Sequence, residues 1–208
     1  RIVDQDAGGE IGIVATGKSY TDLRQALQAG HDPLRVVVDR AHEKGMQVYC
    51  SLRMNDPASP HTDANLYFSS KIKEEHPEVM IGEEDPDKPG AATCLNFALP
   101  EVRQERFALI EETVNSYDVD GFELDWAFEP YYFEDDEVEQ NAPILTKYMR
   151  KIRRLVEGAA QARGRPIVLG ARVLPTLDGN RGMGMDVPAW PLGCALLLLL
   201  LLLLLFLL

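Results

Sequence analysis

The sequence predicts an α/β fold built on a parallel sheet. Three observations carry this expectation. Amphipathic helical stretches alternate with short apolar runs. Gly, Pro and Asp turn signals bound each run, and 46% hydrophobic with 26% charged residues is ordinary globular composition. The 208 residues allow one large domain, or one domain and a piece. With 21 Lys and Arg against 33 Asp and Glu the formal charge is −12, which opposes nucleic acid or an anionic membrane as the main partner. Cys50, Cys94 and Cys194 are odd in number, widely spaced and without a CxxC pair, so neither a disulfide framework nor structural zinc is expected. Cys50 is expected as a buried free thiol and the other two as loop thiols.

The elements follow in chain order. Ile11 to Thr16 offers a first short strand. Asp32-Pro33 is an N-cap followed by proline at the first helical position. Leu34, Val37, Val38 and Ala41 then fall at helical spacing, and Gly45 supplies the stop. Met46 to Met54 reads as a strand, and a long Pro-, Asp- and Ser-rich loop follows, with a short helix around Ser69 to His76. Pro100 opens a helix with the apolar stripe Phe107, Ile110, Val114 and Tyr117. After a turn at Asp118 to Gly121 comes the strand GFELDW, Gly121 to Trp126. The next helix, Pro143 to about Ala160, carries Leu145, Tyr148, Met149, Ile152, Val156 and Ala159 on one face. Gly164 and Pro166 end it, and Ile167 to Val173 forms another strand. His31, His42 and His76 sit at helix edges as surface or capping residues.

The two ends stand apart. The chain opens at Arg1 without a methionine or signal-like segment, which suggests a start inside a longer protein. From Pro191 to Leu208 it has no charge and becomes nearly pure leucine. That length approaches a membrane span, but no basic or aromatic anchors frame it. It is read as a translated repeat, a frameshift or a truncated frame, and a membrane anchor is disfavoured. The expected organisation is therefore a partial domain over residues 1–190 and a low-complexity leucine tail over 191–208.

Two architectures accommodate this order, a (β/α)₈ barrel and an open doubly wound sheet. No GxGxxG or GxxxxGK[ST] follows any strand, so nucleotide-binding versions are removed and no cofactor is expected. Polar residues on the strands tip the choice. Residues two apart share a face of a strand. In GFELDW, Phe122, Leu124 and Trp126 form an apolar set for the helices, while Gly121, Glu123 and Asp125 form the other. Two carboxylates on one face of a buried parallel strand are costly unless paired or functional. The preceding strand puts Ser51, Arg53 and Asn55 on one face, and the following strand Gly170 and Arg172. With the three strands as neighbours, Arg53 and Arg172 flank Glu123 and Asp125 at the C-terminal strand ends, where barrel enzymes place catalytic groups. Two readings stay open: an ion network without chemistry, or a carboxylate-based hydrolytic site. Retaining glycosidases hold two carboxyls about 5–5.5 Å apart and inverting ones about 6.5–9.5 Å. Neighbours two apart on a strand lie near that boundary, so neither stereochemical outcome is chosen.

The strings CSLRMND (Cys50 to Asp56), KIKEEHPEVMIG (Lys71 to Gly82), DGFELDW (Asp120 to Trp126) and MGMDVPAW (Met183 to Trp190) resemble, in order, the glycosyl-hydrolase-like barrel proteins, a family-10-like group of bacterial genomes. The resemblance implies a (β/α)₈ barrel, here partial and truncated at both ends, acting on glycans with DGFELDW as a middle strand. In the α-amylase clan the nucleophile is the aspartate of a GFRxD-like strand. Asp125 fits that place, although Glu123 replaces the arginine. In the chitinase-like pattern DGxDxDxE, Asp120, Gly121, Glu123 and Asp125 align, but the catalytic glutamate falls at Ala127, which cannot donate a proton.

The expected function is a glycoside hydrolase acting on a polysaccharide. Asp125 is the nucleophile or base, Glu123 its coupled partner, and Glu129 a candidate acid. Glu134, Asp135 and Asp136 read as a solvated acidic loop. Arg53, Asn55, Asp56, His61 and Arg172 are expected to position substrate. Asp56, His61 and Asp63 lack a metal-site spacing, and no metal is expected. Tyr67, Phe68, Tyr131, Tyr132 and Phe133 suit stacking on sugar rings. For the cluster at 131–133 a loop anchor is the equal alternative, and for Trp126 packing against helices is the better assignment. The rival function, motivated by Ala127, is a carbohydrate-binding barrel without catalysis.

Overall fold

The computed structural model describes residues 11–13, 30, 32–55, 71–82 and 85–191. Its four strands are β1 (Ile11–Ile13), β2 (Gln47–Arg53), β3 (Gly121–Asp125) and β4 (Val168–Arg172). All neighbouring pairs are parallel and the sheet order is β1-β2-β3-β4. An open doubly wound sheet reverses its order at a switch point. Over the described strands the order never reverses, and helices connect the parallel neighbours. This is the wall of a (β/α) barrel. Residues 192–208 of the expected leucine tail, and Asp56, His61, Asp63, Tyr67 and Phe68, lie outside the described residues.

Helix α1 (Pro33–Glu43) starts as its sequence dictates. Proline occupies the first turn, and the Asp32 carboxylate accepts the Arg35 N–H at 3.1 Å. Helix α2 (Lys71–Glu75) is followed by the 3₁₀ turn Pro77–Val79, and Met80 then bridges antiparallel to Leu95. Helix α3 (Pro100–Ser116) buries Val102, Arg106, Ile110 and Val114. The stripe expected from the sequence is thus offset at its start. Phe107 is only half-buried, and Arg106 enters beside Glu105, 2.9 Å away. Helix α4 (Val138–Arg163) starts upstream of Pro143, preceded by the 3₁₀ turn Asp135–Glu137. The acidic run read as a solvated loop forms this helix entry, where negative charge meets the positive end of the helix dipole. All six expected core residues of α4, from Leu145 to Ala159, are buried. Helix α5 (Leu177–Gly182) follows β4.

The core lies between the outer face of the sheet and the helices. Phe122, Leu124 and Trp126 point into it, as their alternation demands, and Trp126 packs against Phe97, Tyr132, Tyr148 and Trp190. Trp190 belongs to MGMDVPAW, whose Met185 and Val187 are buried in the same core. The turn that brings this string back needs Gly184. Its φ is 77°, and a Cβ there would lie 2.8 Å from the Phe133 ring. Cys94 lies in the bend after the 3₁₀ turn Ala91–Thr93, in a loop as expected, and is fully buried with its thiol donating to the Gly90 carbonyl. Cys50 is half-buried, and burial pushes its thiol pKa up.

The N-terminal rim of the strands is closed by a polar network. Asp120 accepts from the Val48 N–H at 2.8 Å and from Arg165 at 2.8 Å, and its carboxylate lies 2.9 Å from His42 Nε2. Burial pushes the Asp120 carboxyl upward. The Val48 amide, His42 and Arg165 together outweigh that and hold it below the ordinary aspartate value. His42 is therefore a tie between α1 and β3 and not a capping residue.

Candidate active site

Register places the inner face in three layers. Tyr49, Gly121 and Val168 align across β2, β3 and β4. Ser51, Glu123 and Gly170 form the second layer, and Arg53, Asp125 and Arg172 the third, at the C-terminal ends. Gly121 is required here. A Cβ would sit 2.3 Å from the Tyr49 ring, which covers the glycine from the adjacent strand. Gly170 likewise presents no side chain beside Glu123, leaving the arginine one layer above to reach down.

Arg172 makes that reach. One guanidinium nitrogen donates to Asp125 Oδ2 at 3.2 Å and the other to Glu123 Oε1 at 2.8 Å. Ser51 donates to the same Glu123 oxygen at 2.9 Å. Asp125 Oδ1 accepts the N–H groups of Ala127 at 3.1 Å and Phe128 at 3.2 Å, an Asx-type turn that fixes where the chain leaves β3. Asp125 is 4% exposed. The Glu123 side chain is 17% exposed and that of Arg172 is 51%. Among the described residues nothing bonds Glu123 Oε2, so this oxygen has an open lone pair at the inner face.

The other sequence-nominated residues separate into three groups. Glu129 lies on the loop just beyond Asp125 with φ at 46°, the one non-glycine residue in the left-handed region among the described residues. Such a conformation costs about 1–3 kcal/mol and persists where surroundings impose it, often beside functional groups. Arg53 stays on the same rim, but its guanidinium stacks on the Phe128 ring at 3.9 Å and does not pair with Glu123 or Asp125. The expected two-sided arginine flank is therefore one-sided. Asn55 and Tyr132 do not face a cleft at all. Asn55 is fully buried, accepting the Leu95 N–H at 2.8 Å and donating to the Tyr131 carbonyl. Tyr132 is 1% exposed, its hydroxyl donates to the Trp126 carbonyl at 2.7 Å, and burial pushes its pKa well up. Both are structural anchors, because their polar atoms are already committed to backbone. Phe133 is buried too.

Tyr131 remains half-exposed, with its phenol raised first by burial and then by Glu129. It lines a cavity of about 440 Å³ with Ile81, Asp85, Lys88, Phe133 and Asp135. The Lys88 ammonium lies between Asp135 and Asp85, and its hydrogen bond to Asp135 raises its pKa. Sequence reasoning placed Ser51 on the right face without a role. Only the strand register sets it opposite Glu123. The Phe128 ring beneath Arg53 had no signal in the sequence.

The family profile described as "Glycosyl hydrolase-like 10" matches residues 13–151. The family match takes in three of the four strings, CSLRMND, KIKEEHPEVMIG and DGFELDW, and ends before MGMDVPAW. Glycosyl hydrolase YngK of Bacillus subtilis is 27% identical over 118 residues, 57% of this chain and 22% of that protein. Glycosyl hydrolase DigH of Escherichia coli is 29% identical over 100 residues, 46% of this chain and 22% of that protein. The match thus spans about a fifth of the length of these relatives. Among solved structures, the maltogenic α-amylase AmyB of Thermotoga neapolitana aligns with a TM-score of 0.42 at 17% identity, covering 74% of this chain and 30% of the other. The α-galactosidase AgaA of Geobacillus stearothermophilus, solved with raffinose, aligns at 0.39 and 13%, covering 66% and 19%. With its profile match running from the first strand into α4 and across DGFELDW, the chain belongs to the glycosyl hydrolase-like 10 family.

Proposed function

We propose that this chain carries the carboxylate half of a glycoside hydrolase site, acting on a polysaccharide through Asp125 and Glu123. One observation carries the reading: a single guanidinium, Arg172, bridges both carboxylates at the C-terminal rim of parallel strands. Asp125 is the nucleophile or base, working through Oδ2, while the two backbone N–H groups on Oδ1 hold its plane. Glu123, tied by Ser51 and Arg172 through one oxygen, keeps the other for a water or a sugar hydroxyl. Glu129, on its strained loop, is the candidate acid. Tyr131 and Arg53 border the substrate, the latter held flat on Phe128.

A second reading has its own observation. Asp125 is almost wholly buried, and both of its oxygens already accept hydrogen bonds, as a structural carboxylate would. A carbohydrate-binding barrel without turnover fits that. The Asp125→Asn variant separates the two, because it removes charge and keeps shape. Under the hydrolase reading it lowers glycan hydrolysis by about a thousand-fold or more while glycan binding persists. Glu123→Gln lowers turnover on the order of a hundred-fold and shifts the pH profile. A folded Asp125→Asn protein that hydrolyses at the original rate removes Asp125 from the mechanism. Binding without any cleavage by the unmodified protein establishes the binding barrel.

A further inference from the structure

A groove of about 620 Å³ runs between α3 and α4, on the helical side of the sheet and away from the carboxylate pair. Its charge is unlike that of the molecule. The chain has twelve more carboxylates than cations, yet Arg103, Lys147, Lys151 and Arg154 all line the groove and no Asp or Glu does. Among the described residues none of these four is ion-paired. Elsewhere on the same helices Arg106 lies beside Glu105 at 2.9 Å and Arg153 beside Glu157 at 2.7 Å, while Arg150 has no ion pair among the described residues. In this acidic chain the four cations, of which Arg103 donates to the Phe97 carbonyl and Lys151 lies 3.7 Å over the Phe107 ring, form a local positive field in a concavity lined by no carboxylate. The floor is mixed. Pro100, Pro143 and Ile144 supply apolar surface, and Tyr148 is buried with a hydroxyl that has no hydrogen-bond partner among the described residues.

We infer that this groove binds an anionic sugar chain of the polyuronate class. The cations choose an anion, the apolar floor suits the C–H faces of sugar rings, and the volume lies in the range of small-molecule sites. Spacing favours a polymer with one charge per ring. Lys147, Lys151 and Arg154 recur along α4 at intervals of four and three residues, about 5 Å on average, close to the length of one pyranose unit. A lipid bilayer is planar and does not enter a groove between helices. The choice of a sugar as the occupant rests on the glycan reading of the function; the charge argument does not.

The test is binding of polygalacturonate by titration calorimetry at low and high ionic strength, with neutral amylose in parallel. Lys147→Glu/Arg154→Glu changes two exposed side chains and should weaken polygalacturonate binding about ten-fold or more at low salt, with binding by the parent protein also weakened by added salt. Hydrolysis of an aryl glycoside should be unchanged in that variant. Lys147→Ala/Arg154→Ala guards against misfolding and should show a smaller loss in the same direction. Undiminished polygalacturonate binding in both variants overturns the inference, as does tighter binding of anionic vesicles or single-stranded DNA than of polygalacturonate through the same residues. Asp125→Asn should leave polygalacturonate binding intact. Loss of hydrolysis and loss of groove binding therefore fail separately.

Discussion

Asn55 makes the case for reading a polar residue by its committed atoms. Its amide holds the end of β2 to two loops, through the Leu95 N–H and the Tyr131 carbonyl, without any exposure to solvent. Asn55→Ala leaves a buried donor and a buried acceptor unpaired, so a loss of about 2–3 kcal/mol is expected in urea unfolding. If Asn55 instead contacted substrate, the variant would keep its stability and lose only affinity. Asp125 differs from Asn55 in one respect that matters. Its partners include a half-exposed arginine that also holds Glu123, so the carboxylate is coupled to a group that opens onto the inner face. From sequence alone Asn55, Arg53 and Arg172 look equivalent, three polar residues at strand ends. The difference is set by what each meets: a backbone pair, a Phe128 ring, or two carboxylates.

At the scale of elements, the inner face of β3 depends on a glycine. Tyr49 on β2 lies over Gly121 so closely that a methyl group there would meet the ring at 2.3 Å. Gly121→Ala should cost about 1–3 kcal/mol by overpacking, measured by thermal or urea unfolding. In a Tyr49→Ser background the same change should cost much less, and equal costs in both backgrounds would show that the ring is not the obstacle. The helices teach a related lesson. Caps and prolines announce the start of α1, and the 3.6-residue period of α4 identifies its buried face. Neither locates the first turn of α4, because the favourable meeting of the Asp135–Glu139 charges with a helix N-terminus extends it beyond Pro143.

Across the whole molecule the two rims of the sheet divide their duties. The C-terminal rim holds Asp125, Arg172, Arg53 and Glu129. The N-terminal rim holds Asp120 with His42, Arg165 and, close by, Asp118 and Arg163. Asp120 has a folded pKa below its unfolded one, so on acidification the unfolded chain takes up the proton first. Its contribution to stability is complete above the ordinary aspartate value of about 3.9 and is lost as pH falls through the lower folded value. Urea unfolding between about pH 2.5 and 6 should therefore show a decline at the acid end that is shallower in Asp120→Asn. An unchanged slope would mean that other carboxylates carry the acid sensitivity. The DGxDxDxE alignment gave Asp120 and Asp125 similar standing, but the fold sends them to opposite rims of one strand.

Alternation along GFELDW alone determined which β3 residues face the helices and which face inward, because successive side chains of a strand must point opposite ways. The order of elements and the absence of phosphate-binding glycine motifs narrowed the architecture, and four short strings identified the family. Tertiary structure decided the rest, since it depends on groups far apart in the chain. Register set Arg172 across from Asp125 and brought Ser51 to Glu123, a pairing 72 residues apart in sequence. Packing withdrew Asn55 from the cleft its polarity suggested, and made Tyr132 a loop anchor, one of the two roles expected of it. The docking of α3 against α4 gathered four cations of an acidic chain into one groove, because two helices of different periodic origin present their charges to a common concavity only once they are packed.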